Sequence, residues 1–477
     1  MNSATDTAVT QALAAWNIYR NWSPQQIVAL LNAIADQLDA AKEELVPVAM
    51  AETNLPKARL DGEVGRTSGQ FRLMAQAVLD PTYLDIVIDK ENSTLTPPRP
   101  ELRSISMPLG VVGIFGASNF PFAFGVAGGD TASALAAGCA VVIKINPGHP
   151  IVSTMVGEIM VRAANSVGAP AGLISLISGL EAGMELVKHK DLRAVAFTGS
   201  THGGRALFDA INAREVPIPF YGELGGLNPM FVTENAITAR AKAIAEGFLG
   251  SITLGAGQFC TKPGFLIAVG ADVINKELAQ IVAAASPQKM LNQRTQGLHD
   301  SIRDEMLSVQ GMKLVASSKS DAVDASVTVM TISAQNFLKN KEGAMREVFG
   351  PTAVVIDCAS KEELIAIAHS FSGTLASGIY GEENDSTLPA ELLSILEDIS
   401  GRIVWNQWPT GLAVTWAMHH GGPYPASTNP LFTSVGARAL LRFRRPIVYQ
   451  NFPDTLLPEP LHSDSPELNS ARIDGQR

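Results

Sequence analysis

The chain is short of cysteine, of charge and of basic residues, and each shortage excludes something. Its 477 residues include three Cys, at 139, 260 and 358. So few, so far apart, form neither a disulfide framework nor a thiolate metal site, and they fit a reducing cytoplasm. Charged residues make up 17% of the chain against 46% hydrophobic. That balance excludes a disordered chain, a coiled coil and a collagen-like repeat, and it supplies material for a large core. Lys and Arg number 36 against 46 Asp and Glu, a net charge of -10. A uniform nucleic-acid-binding surface is therefore not expected. The low charge also suggests that much surface is buried against something.

A membrane span is missing as well. Residues 107–129 lack ionisable side chains and are long enough to cross a bilayer. They also hold Pro108, Pro121, Asn119 and six Gly, with Asp130 directly after. This reads as buried parallel strands joined by a Gly-rich loop. No basic residue precedes Arg20, so a signal peptide is not expected either.

What is present reads as α/β. Length alone suggests about three units. Ser23, then Pro24, then apolar residues three and four apart predict a capped helix within a mainly helical region, 8–80. Between 83 and 107, YLDIVID and ELRSISM alternate like strands around the turn-rich ENSTLTPPRP. Such a ribbon has no obvious core of its own and reads as an arm. LRFRRPIVYQNF, near 441–452, is a strand candidate that would pair with it. From 108 to 222, GVVGIFG, CAVVIKI, LISLISG and LRAVAFTG alternate with helical runs. That rhythm argues for an open, mostly parallel sheet with helices on both faces. A second α/β region, 225–435, holds the helix AITARAKAIAEGFLGSIT and the strand-like GFLIAVG, MKLVASS, TAVVIDC and SGTLASGIYG.

A few residues stand where chemistry needs them. Cys139 and Cys358 sit in apolar strand-like runs and read as buried hydrophobes. Cys260, in GAGQFCTKPG, follows a Gly-rich loop and has Lys262 nearby, a cation that would favour the nucleophilic thiolate. Glu223, in YGELGG, lies among apolar and Gly residues, where desolvation would raise its pKa toward the general-base range. Glu347, in REVFGP, is similarly placed. Asn119, in GASNFP, offers an amide donor to an oxyanion. Lys144 ends the strand VVIKI, where a doubly wound sheet presents groups to a nucleotide. FTGSTHGG, with Gly199 and Ser200, follows a strand and suits a phosphate through its amides and helix N-terminus. None of the eight His stands in a hydrolase signature or a zinc motif, and the adjacent His419 and His420 are not a ligand spacing. No metal is expected.

GIFGASNFPFAF, VVIKINPGHP, FTGSTHGG, ELGGLNP, GQFCTKPG and REVFGP, in that order, closely resemble the aldehyde dehydrogenase superfamily over about residues 20–450. PTGLAV, HGGPYPAST and TSVG are similar to its NADP-linked and α-ketoglutarate semialdehyde dehydrogenase branch. The resemblance implies two open parallel-sheet α/β domains plus a β-ribbon oligomerisation arm. It implies a cofactor domain from 1–82 and 108–224, a catalytic domain from 225–435, an arm from 83–107 and 436–455, and a tail from 456–477. A homodimer or homotetramer is implied too.

The family's chemistry carries over residue by residue. Cys260 would attack a small aldehyde to give a thiohemiacetal, with Asn119 and the Cys260 N–H holding the oxyanion. Hydride transfer to nicotinamide leaves a thioester, and Glu223 would activate the water that hydrolyses it and also help to deprotonate the thiol. Glu347 would hold the nicotinamide ribose, Phe349 and Phe115 would line the cofactor, Lys144 would meet the adenosine ribose or its phosphate, and Gly199 with Ser200 the pyrophosphate. NAD-preferring members commonly carry a carboxylate three residues beyond that lysine. Pro147 stands there instead, so NADP is expected, with NAD the alternative. The branch implies α-ketoglutarate semialdehyde as substrate, but an Arg it commonly carries before TSVG is absent from STNPLFTSVG. Arg66 or Arg72 is the candidate replacement, and a medium-chain or aromatic aldehyde is the rival substrate. ELGG argues against an acylating relative that uses coenzyme A. A Cys-His hydrolase and a non-catalytic binding protein on the same fold stay open.

Overall fold

The computed structural model describes residues 3–319 and 323–476. Four helices open the chain: α1 (Ala4–Tyr19), α2 (Pro24–Ala40), α3 (Lys42–Thr53) and α4 (Lys57–Leu79). The cap at Ser23 is a full capping box, with Ser23 Oγ accepting from Gln26 N and the Gln26 side chain accepting from Ser23 N. On α4, Arg59, Glu63 and Arg66 are four and three residues apart, so they share one face. Among the described residues no helix is long and apolar enough to cross a membrane.

Two short strands, β1 (Val87–Asp89) and β2 (Leu102–Pro108), precede the first large sheet. That sheet comprises β3 (Val111–Phe115), β4 (Ala140–Lys144), β5 (Ile174–Ile177), β6 (Leu192–Thr198) and β7 (Phe220–Glu223). Its order is β5-β4-β3-β6-β7, parallel throughout. Every residue of β3 is buried, and all of β4 but its last. Helices α1, α5 (Gly129–Ala136), α6 (Pro150–Ser166), α7 (Leu180–Lys188) and α8 (Thr201–Asn212) pack on the strands, which explains these continuous apolar runs. The strand order reverses between β3 and β6. Ligands of open α/β sheets bind beyond the carboxyl ends beside such a reversal.

The second sheet comprises β8 (Pro229–Val232), β9 (Phe265–Val269), β10 (Lys313–Ser317), β11 (Thr328–Ser333), β12 (Thr352–Cys358), β13 (Thr374–Tyr380) and β14 (Ser400–Trp405). Its order is β10-β11-β12-β9-β8-β13-β14. All pairs are parallel except the edge strand β10, which runs antiparallel to β11. Glu223 is the last residue of β7 and Pro229 the first of β8. The chain therefore crosses from one sheet to the other immediately after Glu223. This short crossing brings a carboxylate of the first sheet to the loop ahead of β9, where Cys260 lies.

The ribbon departs from the sequence reading in one respect. It pairs as expected with β15 (Arg444–Gln450), antiparallel to β2. It also has a core of its own, built from Leu84, Ile86, Ile88, Ile105, Leu457 and Leu461. Residues 456–477, read as a tail, supply two of those side chains and the strand β16 (Arg472–Ile473), which lies parallel to β1. A third of these side chains come from a segment some 350 residues away from the ribbon, so alternation alone could not reveal it.

One buried ion pair ties the first sheet to the chain's end. Arg442, in the 3-10 stretch Ala437–Phe443, donates from Nη1 to Asp130 Oδ1 on α5 at 2.8 Å and from Nη2 to Ser133 Oγ at 3.0 Å. Thr198 Oγ1 donates to the other Asp130 oxygen at 3.3 Å. Asp130→Ala would strand a buried guanidinium. It is expected to destabilise the protein by about 3–5 kcal/mol, read as a lower denaturant midpoint. An unchanged midpoint would mean that the pair contributes nothing net.

Candidate active site

Cys260 is seated by an unusual loop. Gly255, Ala256 and Gly257 all have positive φ, at 58°, 55° and 66°. A Cβ on Gly257 would lie 2.2 Å from Gly350 O, so only glycine lets this loop press against the EVFGP segment. On the far side, Asn228 Nδ2 donates to Cys260 O at 2.8 Å and Lys262 O at 2.9 Å. The loop backbone at Cys260 is thus held from both directions.

Two groups from distant segments meet at the thiol, and a third backs them. Cys260 Sγ is 3.4 Å from His420 Nε2, and that nitrogen is 2.7 Å from Glu223 Oε1. Ser434 Oγ donates to Glu223 Oε2 at 2.6 Å. Glu223, His420 and Ser434 are all buried and border a cavity of about 20 Å³, room for one water. His420 and Ser434 were not singled out from the sequence. The available signal was position: His420 directly precedes Gly421 and Gly422 in HGGPYPAST, and Ser434 lies in TSVG, both segments that carry the resemblance.

Two electrostatic expectations are corrected. Burial does push the Glu223 carboxyl up, but His420, the Ser434 hydroxyl and the Cys260 thiol outweigh it, and the net displacement is downward. Lys262 does not activate Cys260. Its ammonium turns away, donating to Val348 O at 2.8 Å and Thr352 O at 2.6 Å. Burial and the nearby Glu223 instead hold the Cys260 thiol well above its ordinary pKa. A thiol so held needs a base to take its proton, and both His420 Nε2 and Glu223 touch it.

Asn119 reaches the same loop: its Nδ2 donates to Gln258 O at 3.0 Å. Helix α4 holds the segment from behind. Arg59 Nη2 donates to Asn119 O at 2.6 Å, and Glu63 Oε1 accepts from Phe122 N at 2.8 Å and Ala123 N at 3.1 Å. The Cys260 N–H has no protein acceptor among the described residues. Arg66 lies over Phe120 and Phe124, 5.7 and 5.4 Å from their ring centres. Its Nε and Nη2 are buried without a hydrogen-bond partner among the described residues, and Cys260 and Glu223 are close enough to act on its charge. Arg72 is elsewhere, half-exposed and paired with Asp36 at 2.7 Å and Asp39 at 2.8 Å on α2.

The other predicted residues, Phe349 apart, lie toward the carboxyl edge of the first sheet. Phe115 ends β3 opposite Lys144 on β4 and Phe197 on β6, and Thr198 pairs with Glu223. Gly199 N donates to Glu223 O at 3.1 Å, and Ser200 caps α8, accepting from Gly203 N at 3.3 Å. Lys144 is half-buried and has no ion-pair partner among the described residues, and burial pushes its pKa down. Pro147 is exposed in the turn before α6. Glu347 reaches this edge through Gly225, where an added Cβ would lie 2.8 Å from Glu347 Oε2. Burial pushes the Glu347 carboxyl up and the neighbouring Lys262 down. Phe349 is half-buried, with no ring contact among the described residues that ties it to this edge. An unpaired ammonium, a capped helix start and a strand-order reversal fit the residues to a phosphate-bearing dinucleotide.

Two sheets joined at a carboxylate, with a thiol loop facing a dinucleotide edge, are the layout of an aldehyde dehydrogenase. The family model described as "Aldehyde dehydrogenase family" matches residues 2–424, and the chain belongs to that family. Its chemistry is the NAD(P)+-dependent oxidation of an aldehyde at a cysteine nucleophile. The chain is 42% identical over 472 residues to alpha-ketoglutaric semialdehyde dehydrogenase 2 of Azospirillum brasilense, covering 97% of this chain and 89% of that one. It is 37% identical to alpha-ketoglutaric semialdehyde dehydrogenase of Acinetobacter baylyi, with 97% and 89% covered. Among solved structures, 3,6-anhydro-L-galactose dehydrogenase superposes at TM-score 0.79 and 23% identity, covering 93% of this chain and 90% of that one.

Proposed function

We propose that this chain oxidises α-ketoglutarate semialdehyde to the dicarboxylate with NADP+, with Cys260 as the nucleophile. The observation that carries the substrate is Arg66. It is a mostly buried guanidinium beside the thiol with two N–H groups unclaimed. Buried charges are normally paired, and a carboxylate is the partner whose geometry a guanidinium matches. The two α-ketoglutaric semialdehyde dehydrogenases similar to this chain support the same substrate.

The residues then divide the work. His420 takes the thiol proton, and the sulfur attacks the aldehyde carbon. The developing oxyanion receives hydrogen bonds from Asn119 Nδ2 and the Cys260 N–H. Bound nicotinamide supplies the hydride acceptor. The acyl group left on Cys260 is a thioester, and Glu223, oriented by Ser434, takes a proton from the attacking water. Lys144, with no ion-pair partner among the described residues and Pro147 after it, supports a 2′-phosphate. Ser200 and Gly199 line the pyrophosphate position, Glu347 the ribose, and Phe115 and Phe349 the rings. Three free thiols support a reducing, cytoplasmic setting. The edge strand β15, with Val448 and neighbouring Phe452 exposed, supports a homodimer or homotetramer.

The test is a panel of α-ketoglutarate semialdehyde, succinic semialdehyde, a medium-chain aldehyde and benzaldehyde, each with NADP+ and NAD+, on the wild type and on Arg66→Leu. The acidic aldehydes are expected to lead with NADP+. Arg66→Leu is expected to lower kcat/KM for them by about 30-fold, near 2 kcal/mol, and to leave benzaldehyde within a few-fold. Equal losses on all aldehydes would remove Arg66 from the carboxylate, and a strong NAD+ preference would overturn the cofactor.

A further inference from the structure

We propose that Cys260, His420 and Glu223 also form a three-ligand zinc site through which zinc reversibly arrests the enzyme. The residues lie 37, 160 and 197 positions apart in pairs, so no local spacing announces them. In the fold each offers one ligand atom, and the three atoms lie within 4.8 Å of one another. A site of this kind goes beyond the oxidation chemistry and does not depend on which aldehyde is the substrate.

The geometry suits a tetrahedral ion. Zn–S near 2.3 Å and Zn–N near 2.0–2.1 Å set a thiolate and an imidazole nitrogen about 3.5 Å apart around one zinc. Cys260 Sγ and His420 Nε2 are 3.4 Å apart. Nitrogen and carboxylate ligands need about 3.3 Å. His420 Nε2 and Glu223 Oε1 are at 2.7 Å, so a small swing of the carboxylate opens the gap. Glu223 Oε1 is buried with no well-aligned hydrogen bond, while its other oxygen is held by Ser434. A carboxylate in contact with both a thiol and an imidazole brings sulfur, nitrogen and oxygen donors to one point. Partners in the outer shell of this sort commonly orient metal ligands.

The chemistry of the donors selects the metal. A thiolate with an imidazole favours zinc over magnesium or calcium, which want oxygen. On binding, the thiol proton leaves for solvent and a Zn–S bond forms. One thiolate and one carboxylate then neutralise the dication, which lowers the cost of holding it in a buried place. Three protein ligands leave a fourth position for water, and Cys260 is partly exposed, so the ion has a route in and out. Arg66 opposes the ion with its own charge, which favours release over permanent capture. Zinc would occupy the nucleophile and both proton-handling groups at once, so oxidation stops while the ion is bound.

The experiment titrates the full chain with zinc chloride and, separately, cobalt(II) chloride. Expected are one zinc per chain, activity lost in step with occupancy and restored by EDTA. Cobalt should give a tetrahedral visible spectrum with a sulfur-to-cobalt charge-transfer band. His420→Ala and Glu223→Gln should each weaken zinc binding at least about tenfold, and Cys260→Ser should abolish the charge-transfer band. Cys139→Ala and Cys358→Ala should leave zinc inhibition unchanged. Zinc binding undiminished in His420→Ala would reduce the effect to a lone thiol and overturn the site. An octahedral cobalt spectrum in the wild-type protein, which needs no variant to fold, would overturn it equally.

Discussion

Cys260→Ser is expected to lower the steady-state rate of aldehyde oxidation by at least about 10³-fold and to leave the NADP+ dissociation constant within about twofold. The loss follows from what serine lacks. Oxidation needs a nucleophile that adds to the carbonyl, releases hydride and then leaves as part of a thioester that water can cleave. An ester at the same position is a poorer acyl donor, and a hydroxyl is far harder to deprotonate with an imidazole. Cofactor binding should survive, because the residues proposed for it lie at the carboxyl ends of β3, β4 and β6 and at Glu347. The controls lie in the same chain. Cys139 and Cys358 are buried, their thiols pushed up to about 11 and about 12 by burial, and neither touches the cluster. Their replacement by alanine should alter stability more than rate. Oxidation by Cys260→Ser near the wild-type kcat, measured as absorbance at the reduced cofactor's band, would displace Cys260 from the mechanism.

What was legible in the chain depended on how local the signal was. Ser23 and Pro24 announced α2 because capping is decided within four residues. β3 and β4 were legible because strands covered on both faces must be apolar at every position. β11 and β14 were not. TVMTIS interrupts its apolar run with Thr, and SGRIVW is only half-buried along its length, so neither stands out from loop. The same distinction runs through the site. Cys260, Glu223 and Asn119 stand in short motifs, and the fold brings them together. The downward displacement of Glu223 arises from His420 and Ser434, about 200 residues away, and no reading of YGELGG contains them. Lys262 misled for the converse reason. Two residues from a thiol is near in sequence, but the side chain is spent on carbonyls of another loop.

Helix α4 brings an N-terminal segment against the Asn119 loop. Its Arg59 and Glu63 clamp the chain on both sides of Phe120, and Arg66 from the same face covers the aromatic rings beside the thiol. A helix is a stiff support, and a stiff support suits residues that must hold an amide donor within a fraction of an ångström. The large core shared by the first four helices and the first sheet therefore stands behind that helix face.

Glu223→Gln is expected to separate the two halves of the reaction. Glutamine keeps the shape and can still accept the Ser434 hydrogen bond, but it cannot take a proton from water. A single turnover should then release nearly one reduced cofactor per active site at close to the wild-type rate. Steady-state kcat should fall by about 10²–10⁴-fold, because the thioester waits for an unactivated water. The trace is a burst followed by a slow line, and the acyl-enzyme should be trapped by denaturation and seen as added mass on the peptide carrying Cys260. His420 supplies the contrast. Its Nε2 is 3.4 Å from Sγ and 2.7 Å from Oε1. If the imidazole is the base for the thiol, His420→Ala should slow the burst itself, whereas Glu223→Gln should not. A Glu223→Gln enzyme with no burst would move the carboxylate from water activation to thiol activation. His420 would then be its support rather than its partner.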